Sequence, residues 1–188
     1  MGVTTDTRDR MITSAALLLR ERGVAGTSIA KVLEHSDGPR GSVGHHFPGG
    51  RTEMLTEALQ WAAAQVIDAL AKAQARGATP DELFTMVCGF YRRQLVASDY
   101  AAGCPIGAAA QEAFDDADLG PVVSEIIERW AQILASSLEA SGHKKKAAVD
   151  LAWLCVSSIE GAIMMARVTR SARPLDVVQE QIAPLLAV

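Results

Sequence analysis

Between residues 27 and 47 the chain reads TSIAKVLEHSDGPRGSVGHHF, and few folds can use such a stretch. Thr27 suits a helix cap, and Ile29, Val32 and Leu33 follow on one side of a short helix. Ser36-Asp37-Gly38 interrupts that pattern, and Pro39 suits the first turn of a second short helix. Phe47-Pro48-Gly49-Gly50 then closes the segment with another turn. Two short helices around a tight break match a helix-turn-helix, whose second helix enters the DNA major groove.

The rest of the sequence is also cut into helices by glycine and proline. A first helix is expected over about 7–22, with Gly23 as its terminating glycine. A long helix is expected over about 51–76, ended by Gly77. Thr79-Pro80-Asp81-Glu82 reads as a capping box opening a helix to about Ser98. Gly103-Cys104-Pro105 leads into a short helix near 106–114, and an acidic loop, 115–120, follows. Further helices are expected over about 121–140, 144–170 and 174–186. The fold class is therefore all-α, with about nine helices: an N-terminal helix-turn-helix head over 1–50, and a larger helical body over 51–188.

Hydrophobic residues make up 49% of the 188, enough for a substantial core. The net charge is −4, which argues against a general polyanion binder. Its distribution is uneven. Residues 1–50 hold six Lys/Arg against five Asp/Glu, and three of the four histidines. Residues 51–188 hold the other twelve and seventeen. A local DNA-binding patch at the N-terminal end is compatible with this balance. MGVTTDTRDR lacks the character of a signal peptide, and no stretch approaches the roughly 20 apolar residues of a membrane span. Three scattered cysteines suggest neither a disulfide framework nor a zinc site. The expectation is a cytoplasmic protein without membrane association, cofactor or metal.

DNA reading needs small or polar side chains at the groove and cations beside phosphates. Arg40, Ser42, His45 and His46 offer these, and Gly41 and Gly44 allow close backbone approach. Thr27 and Ser28 stand where a helix N-terminus can hold a phosphate. Adjacent His45 and His46 point about 100° apart on a helix, so they chelate a metal poorly.

With its flanks, this segment resembles the N-terminal domain of the tetracycline-repressor (TetR) family. The matching residues are Ile12, Ala15-Ala16, Gly23, Thr27-Ser28, Gly38, Pro39-Arg40-Gly41-Ser42, His45-His46-Phe47-Pro48 and Glu53 to Leu55. GCPIGAAAQE (103–112) and FPGGR (47–51) resemble motifs of the LmrA-like branch, named for a lincomycin-resistance regulator. The resemblance implies a homodimer whose heads grip double-stranded operator DNA and whose bodies bind a small, mostly apolar effector that releases it. It also implies a repressor rather than an enzyme. Where the family usually carries a tyrosine that touches a phosphate, this chain has Gly44.

In the body, Trp61, Met86, Phe90, Tyr91, Gln94, Gln111, Phe114, Trp130, Trp153, Met164 and Met165 are candidates for a pocket with apolar walls and a few polar handles. Their alternative role is plain core packing. The segments 121–140 and 144–170 carry more apolar positions than one buried stripe needs, as a dimer interface would require. Two other classes stay open on sequence alone. A helical enzyme would need convergent acids among Glu112, Asp115, Asp116 and Glu160, and an interaction module with a non-functional head would fit Gly44.

Overall fold

The computed structural model describes residues 3–39 and 41–187. Among these the chain forms nine α-helices and no strand: α1 (Val3–Gly26), α2 (Ile29–Ser36), α3 (Val43–His46), α4 (Gly50–Gln74), α5 (Pro80–Ala97), α6 (Pro105–Glu112), α7 (Leu119–Ala140), α8 (Lys145–Thr169) and α9 (Arg173–Leu186). The all-α expectation holds.

Contacts gather the chain into two compact units. One joins Met1–Ala64 with Pro105–Glu125, and the other joins Gln65–Cys104 with Ile126–Val188. Compactness thus does not divide the chain at residue 50. The first half of α4 and all of α6 pack with the N-terminal helices, because α6 lies along α1.

Several boundaries have clear local causes. Thr79 and Glu82 form the expected capping box, with Thr79 N–H donating to Glu82 Oε2 at 3.0 Å. The α2 cap is Ser28 and not Thr27: Ser28 Oγ accepts from Lys31 N–H at 3.3 Å. Asp37 ends α2 in the left-handed region, φ 52°, with its N–H on Leu33 O. In the acidic loop, Asp116 Oδ1 accepts from Leu119 N–H at 2.8 Å and Asp118 N–H at 3.0 Å, which fixes the start of α7 and lowers the Asp116 pKa.

Gly23 differs from its expected place. It does not end the helix; α1 continues past it across a kink with φ 69° and ψ −173°. The helix around the second half of the turn also differs. It starts at Val43 instead of Pro39 and spans four residues, with the chain from Pro39 making a turn closed by Ser42 N–H on Pro39 O at 3.0 Å.

One expectation about membranes needs amending. By length and composition alone, α8 is apolar enough to cross a bilayer. Ser157, Ser158 and Glu160 break its apolar run, so the sequence shows no unbroken stretch while the average hydropathy stays high.

Candidate DNA-reading head and effector cavity

The head is built around Phe47, which is fully buried. Arg8 lies over the Phe47 ring at 5.1 Å, and its Nε donates to His46 O at 3.4 Å. Its Nη2 pairs with Glu57 Oε1 at 2.5 Å, so one cation ties α1, the end of α3 and α4 together. Arg51, the last residue of FPGGR, donates through Nε to Thr27 O at 3.0 Å and through Nη2 to Val24 O. Gly50, with φ 69°, makes the turn that lets α4 start there, and Gly49 N–H donates to Glu53 Oε2 at 2.6 Å. The motif therefore anchors α4 to the connection between α1 and α2.

Against that frame the expected DNA contacts separate. Ser42 is half-buried, with its hydroxyl donating to Pro39 O at 2.6 Å. His45 is exposed, and His46 is half-buried with its ring edge-on to His45 at 5.1 Å. Gly41 and Gly44 are exposed, and a β-carbon on either would meet nothing within 4 Å. Ser28 is half-buried at the start of α2. Thr27 does not present its side chain: it is fully buried, and its hydroxyl donates to Gly23 O at 2.8 Å. Arg40 lies outside the described residues.

The second unit encloses a cavity of about 570 Å³ of atom-free space, its mouth included. Val66 and Leu70 of α4 form one wall, and Leu83, Phe84, Val87 and Tyr91 of α5 form the next. Trp130, Ile133 and Leu134 of α7 and Cys155, Val156, Ile159 and Glu160 of α8 complete it. Of the eleven residues expected to line a pocket, Tyr91 and Trp130 line this cavity, while Met164 and Met165 are exposed on α8. Phe90 packs edge-on against Tyr91 at 5.1 Å, and Met86 packs on the Leu70–Ala73–Leu83 cluster. Gln94 is half-buried elsewhere on α5. Trp61, Gln111 and Phe114 belong to the other unit, with Phe114 78% exposed. Trp153 borders a separate surface hollow with Glu128, Ala131, Gln132, Ala135 and Val149. Large side chains at helical spacing do not reveal which side of a helix faces a void, and most of the expected residues lie outside this cavity for that reason.

Two of the lining residues carry polar groups that stand out. Trp130 Nε1 is buried and has no hydrogen-bond partner. A buried donor left unsatisfied costs about 1–3 kcal/mol. Glu160 is half-buried by accessible surface, yet protein surrounds its carboxyl closely enough that burial raises its pKa to about 7, a hydrogen bond with Cys104 opposing the shift. Cys104 in turn accepts from Tyr91 Oη at 3.3 Å. In the sequence Glu160 stood out only as one of four acids considered for an enzyme; its isolation in an apolar helix was a signal that could have found its place here. Burial pushes the thiols of Cys88 and Cys155 up to about 12, so both are neutral at physiological pH. Among the described residues no group of three or more His, Cys, Asp or Glu could hold a metal ion.

The helical frame and its N-terminal head agree with what is known of related chains. Residues 80–181 match the model for the C-terminal domain of LmrA/YxaF-like transcriptional regulators. The chain is 43% identical over 185 residues to the HTH-type transcriptional regulator Rv0196 of Mycobacterium tuberculosis, covering 95% of this chain and 93% of that one. It is 24% identical over 182 residues to the HTH-type transcriptional regulator LmrA of Bacillus subtilis, covering 96% and 97%. Among solved structures, a TetR transcriptional regulator from Chloroflexus aurantiacus superposes with a TM-score of 0.77 at 26% identity, covering 98% of this chain and 96% of that one. The chain belongs to the TetR family of transcriptional regulators, in its LmrA/YxaF-like branch. The relatives are regulators and not enzymes, which removes the helical-enzyme alternative.

Proposed function

We propose that this regulator is a homodimeric repressor, released from operator DNA when a small, mostly apolar molecule enters the α4–α5–α7–α8 cavity. The observation that carries the reading is the cavity itself: apolar walls with two polar groups on lining residues, one without a partner. Pockets of that make-up take small ligands. In this reading residues 1–50 form the DNA-binding domain and residues 51–188 the effector-binding and dimerisation domain. Ser28, Ser42, His45 and His46 contact DNA, the backbone approaches it at Gly41, and Arg40 serves a phosphate or a guanine edge. α4 runs through both compact units, and Cys104 directly precedes α6, so a change at the cavity reaches the head through continuous chain. The ligand works by binding one shape of the dimer better than the operator-competent one.

Dimerisation is supported by the outer side of α8. Trp153, Leu154, Met164, Met165 and Val168 are all exposed, with Val168 80% so. Ser157 and Gly161 lie between them, and a β-carbon on Gly161 would meet nothing within 4 Å. Small residues amid such a patch let a second helix approach closely, and exposed apolar patches mark association sites. The apolar excess of α7 is used differently, since Ile133 and Leu134 line the cavity and Glu125, Glu128 and Arg129 are exposed.

A salt-dependent gel shift with DNA from upstream of the chain's own gene tests the reading. The expected result is a specific complex with dimer stoichiometry, weakened in Arg40→Ala. Failure to bind that DNA at any salt would leave the head without its proposed role.

A further inference from the structure

The chemistry of the cavity narrows the class of molecule that fits, and this step rests on the reading of the cavity as the effector site. Its walls are hydrocarbon except at Tyr91, Cys155, Trp130 and Glu160. Among the described residues no Lys, Arg or His lines it. Glu160 is thus a carboxyl without a cation among the lining residues, held by the Cys104 thiol, which is a weak donor. Phe84, Tyr91 and Trp130 supply three aromatic rings to the same cavity, and aromatic faces attract cations. Trp130 Nε1–H needs an acceptor that the protein does not provide.

We propose that the cavity selects a lipophilic amine: its protonated nitrogen pairs with Glu160 among the aromatic rings, and a nearby ether or carbonyl oxygen accepts from Trp130 Nε1–H. A carboxylate ligand would place a second negative charge beside Glu160 in an apolar space, and the cavity disfavours it. A neutral alcohol could fill the volume and share a proton with Glu160. It would gain no charge-assisted hydrogen bond.

Glu160 adds a pH signature. Free, it titrates near neutrality because burial disfavours its charge. Bound to an ammonium group it must be ionised, so below that range binding has to expel a proton. Affinity for an amine therefore rises with pH, while affinity for an alcohol does not. The groups around Glu160 do not duplicate this behaviour. Tyr91 comes from α5, Cys104 from the residue before α6, and the neutral thiol of Cys155 from α8 itself. Arg167, two turns along α8, donates to Ala101 O, and Asp176 of α9 pairs with Arg92. The cavity walls from α4 and α7 carry no titratable side chain.

Three probes of one shape separate the outcomes: 4-phenoxybenzylamine, 4-phenoxybenzyl alcohol and 4-phenoxybenzoate. Each is titrated calorimetrically into the protein and into Glu160→Gln, at pH 6, 7 and 8. The expected order at pH 8 is amine, then alcohol, then carboxylate, with the amine ahead of the alcohol by about tenfold. The amine's lead should shrink severalfold at pH 6. Glu160→Gln should erase both the lead and its pH dependence, and a parental circular dichroism spectrum shows that the variant is folded. If the alcohol matches the amine, or the carboxylate binds tightest, the amine assignment is wrong and the cavity remains an effector site. An amine preference that survives Glu160→Gln would also overturn it. If none of the three binds, the effector reading of the cavity fails together with this one.

Discussion

Glu112 occupies the notch that Gly23 leaves in α1. Its Oε2 accepts from Ala25 N–H at 2.7 Å, and a β-carbon on Gly23 would lie 1.8 Å from its Oε1. The kink at Gly23, φ 69° and ψ −173°, is backbone that essentially only glycine adopts. The two residues, 89 apart in sequence, therefore fix how α6 lies along α1.

Gly23→Ala should destabilise the protein by about 1–3 kcal/mol from backbone strain, with an added cost from displacing Glu112. Removing the carboxylate with Glu112→Ala should cost roughly 1 kcal/mol alone, since its bond is exposed. The informative measurement is the double variant in urea unfolding. With Glu112 already gone, Gly23→Ala should cost less than in the parent. Strict additivity would mean the two side chains do not meet.

Gly44 lies in α3 with open space where a side chain would point. Gly44→Ala should stabilise the helix by up to about 1 kcal/mol. Gly44→Tyr should restore the family's aromatic contact, tightening operator binding and steepening its salt dependence by about one counterion. Unchanged affinity and slope would show that the α3 surface at this position does not face the phosphate backbone.

Much of this was legible in the sequence. Glycines, prolines and the capping box at Thr79 delimit nearly every helix, because the residues that end helices act locally. The kink at Gly23 was not legible, since its cause is Glu112, far along the chain. Nor was the short α3: Pro39 is as compatible with a turn as with a first helical position. Cavity walls were the least readable. Trp153 and Trp130 look alike in sequence, and only the rotation of α7 and α8 about their axes puts one outside and one inside.

The Glu160 carboxyl predicts an unusual pH response of stability. Its folded pKa is about 7 against an ordinary value of 4.5, so the shift is upward and penalises the folded state once the group ionises. Below about 4.5 both states are protonated and no penalty exists. Stability is lost as pH rises from there to about 7, and above that the loss is complete, on the order of 3 kcal/mol. Glu160→Gln should therefore gain in melting temperature relative to the parent at pH 8, and gain little at pH 5. An equal difference at both pH values would place the carboxyl in contact with bulk water.

Met165→Asp and Gly161→Trp test the outer side of α8. An aspartate inserted into an apolar interface leaves a buried charge without a partner, and a tryptophan at Gly161 blocks close helix approach. Both residues face open space in the single chain, so each variant should fold with a near-parental circular dichroism spectrum. Light scattering at micromolar concentration should then report monomers. Dimeric mass in both variants would move the interface elsewhere.

α8 is a rod with work on two sides. Cys155, Ile159 and Glu160 touch the cavity, while Trp153, Leu154, Met164 and Met165 look outward from the same helix. A rigid rod cannot turn on one side only. A molecule that rolls α8 as it enters would shift the outer residues by the same angle, and with them the identical rod of an attached twin. The first molecule bound would then alter the vacant cavity across the two-fold axis, giving a sigmoid saturation curve. The response to rising effector would be a threshold instead of a gradual slope.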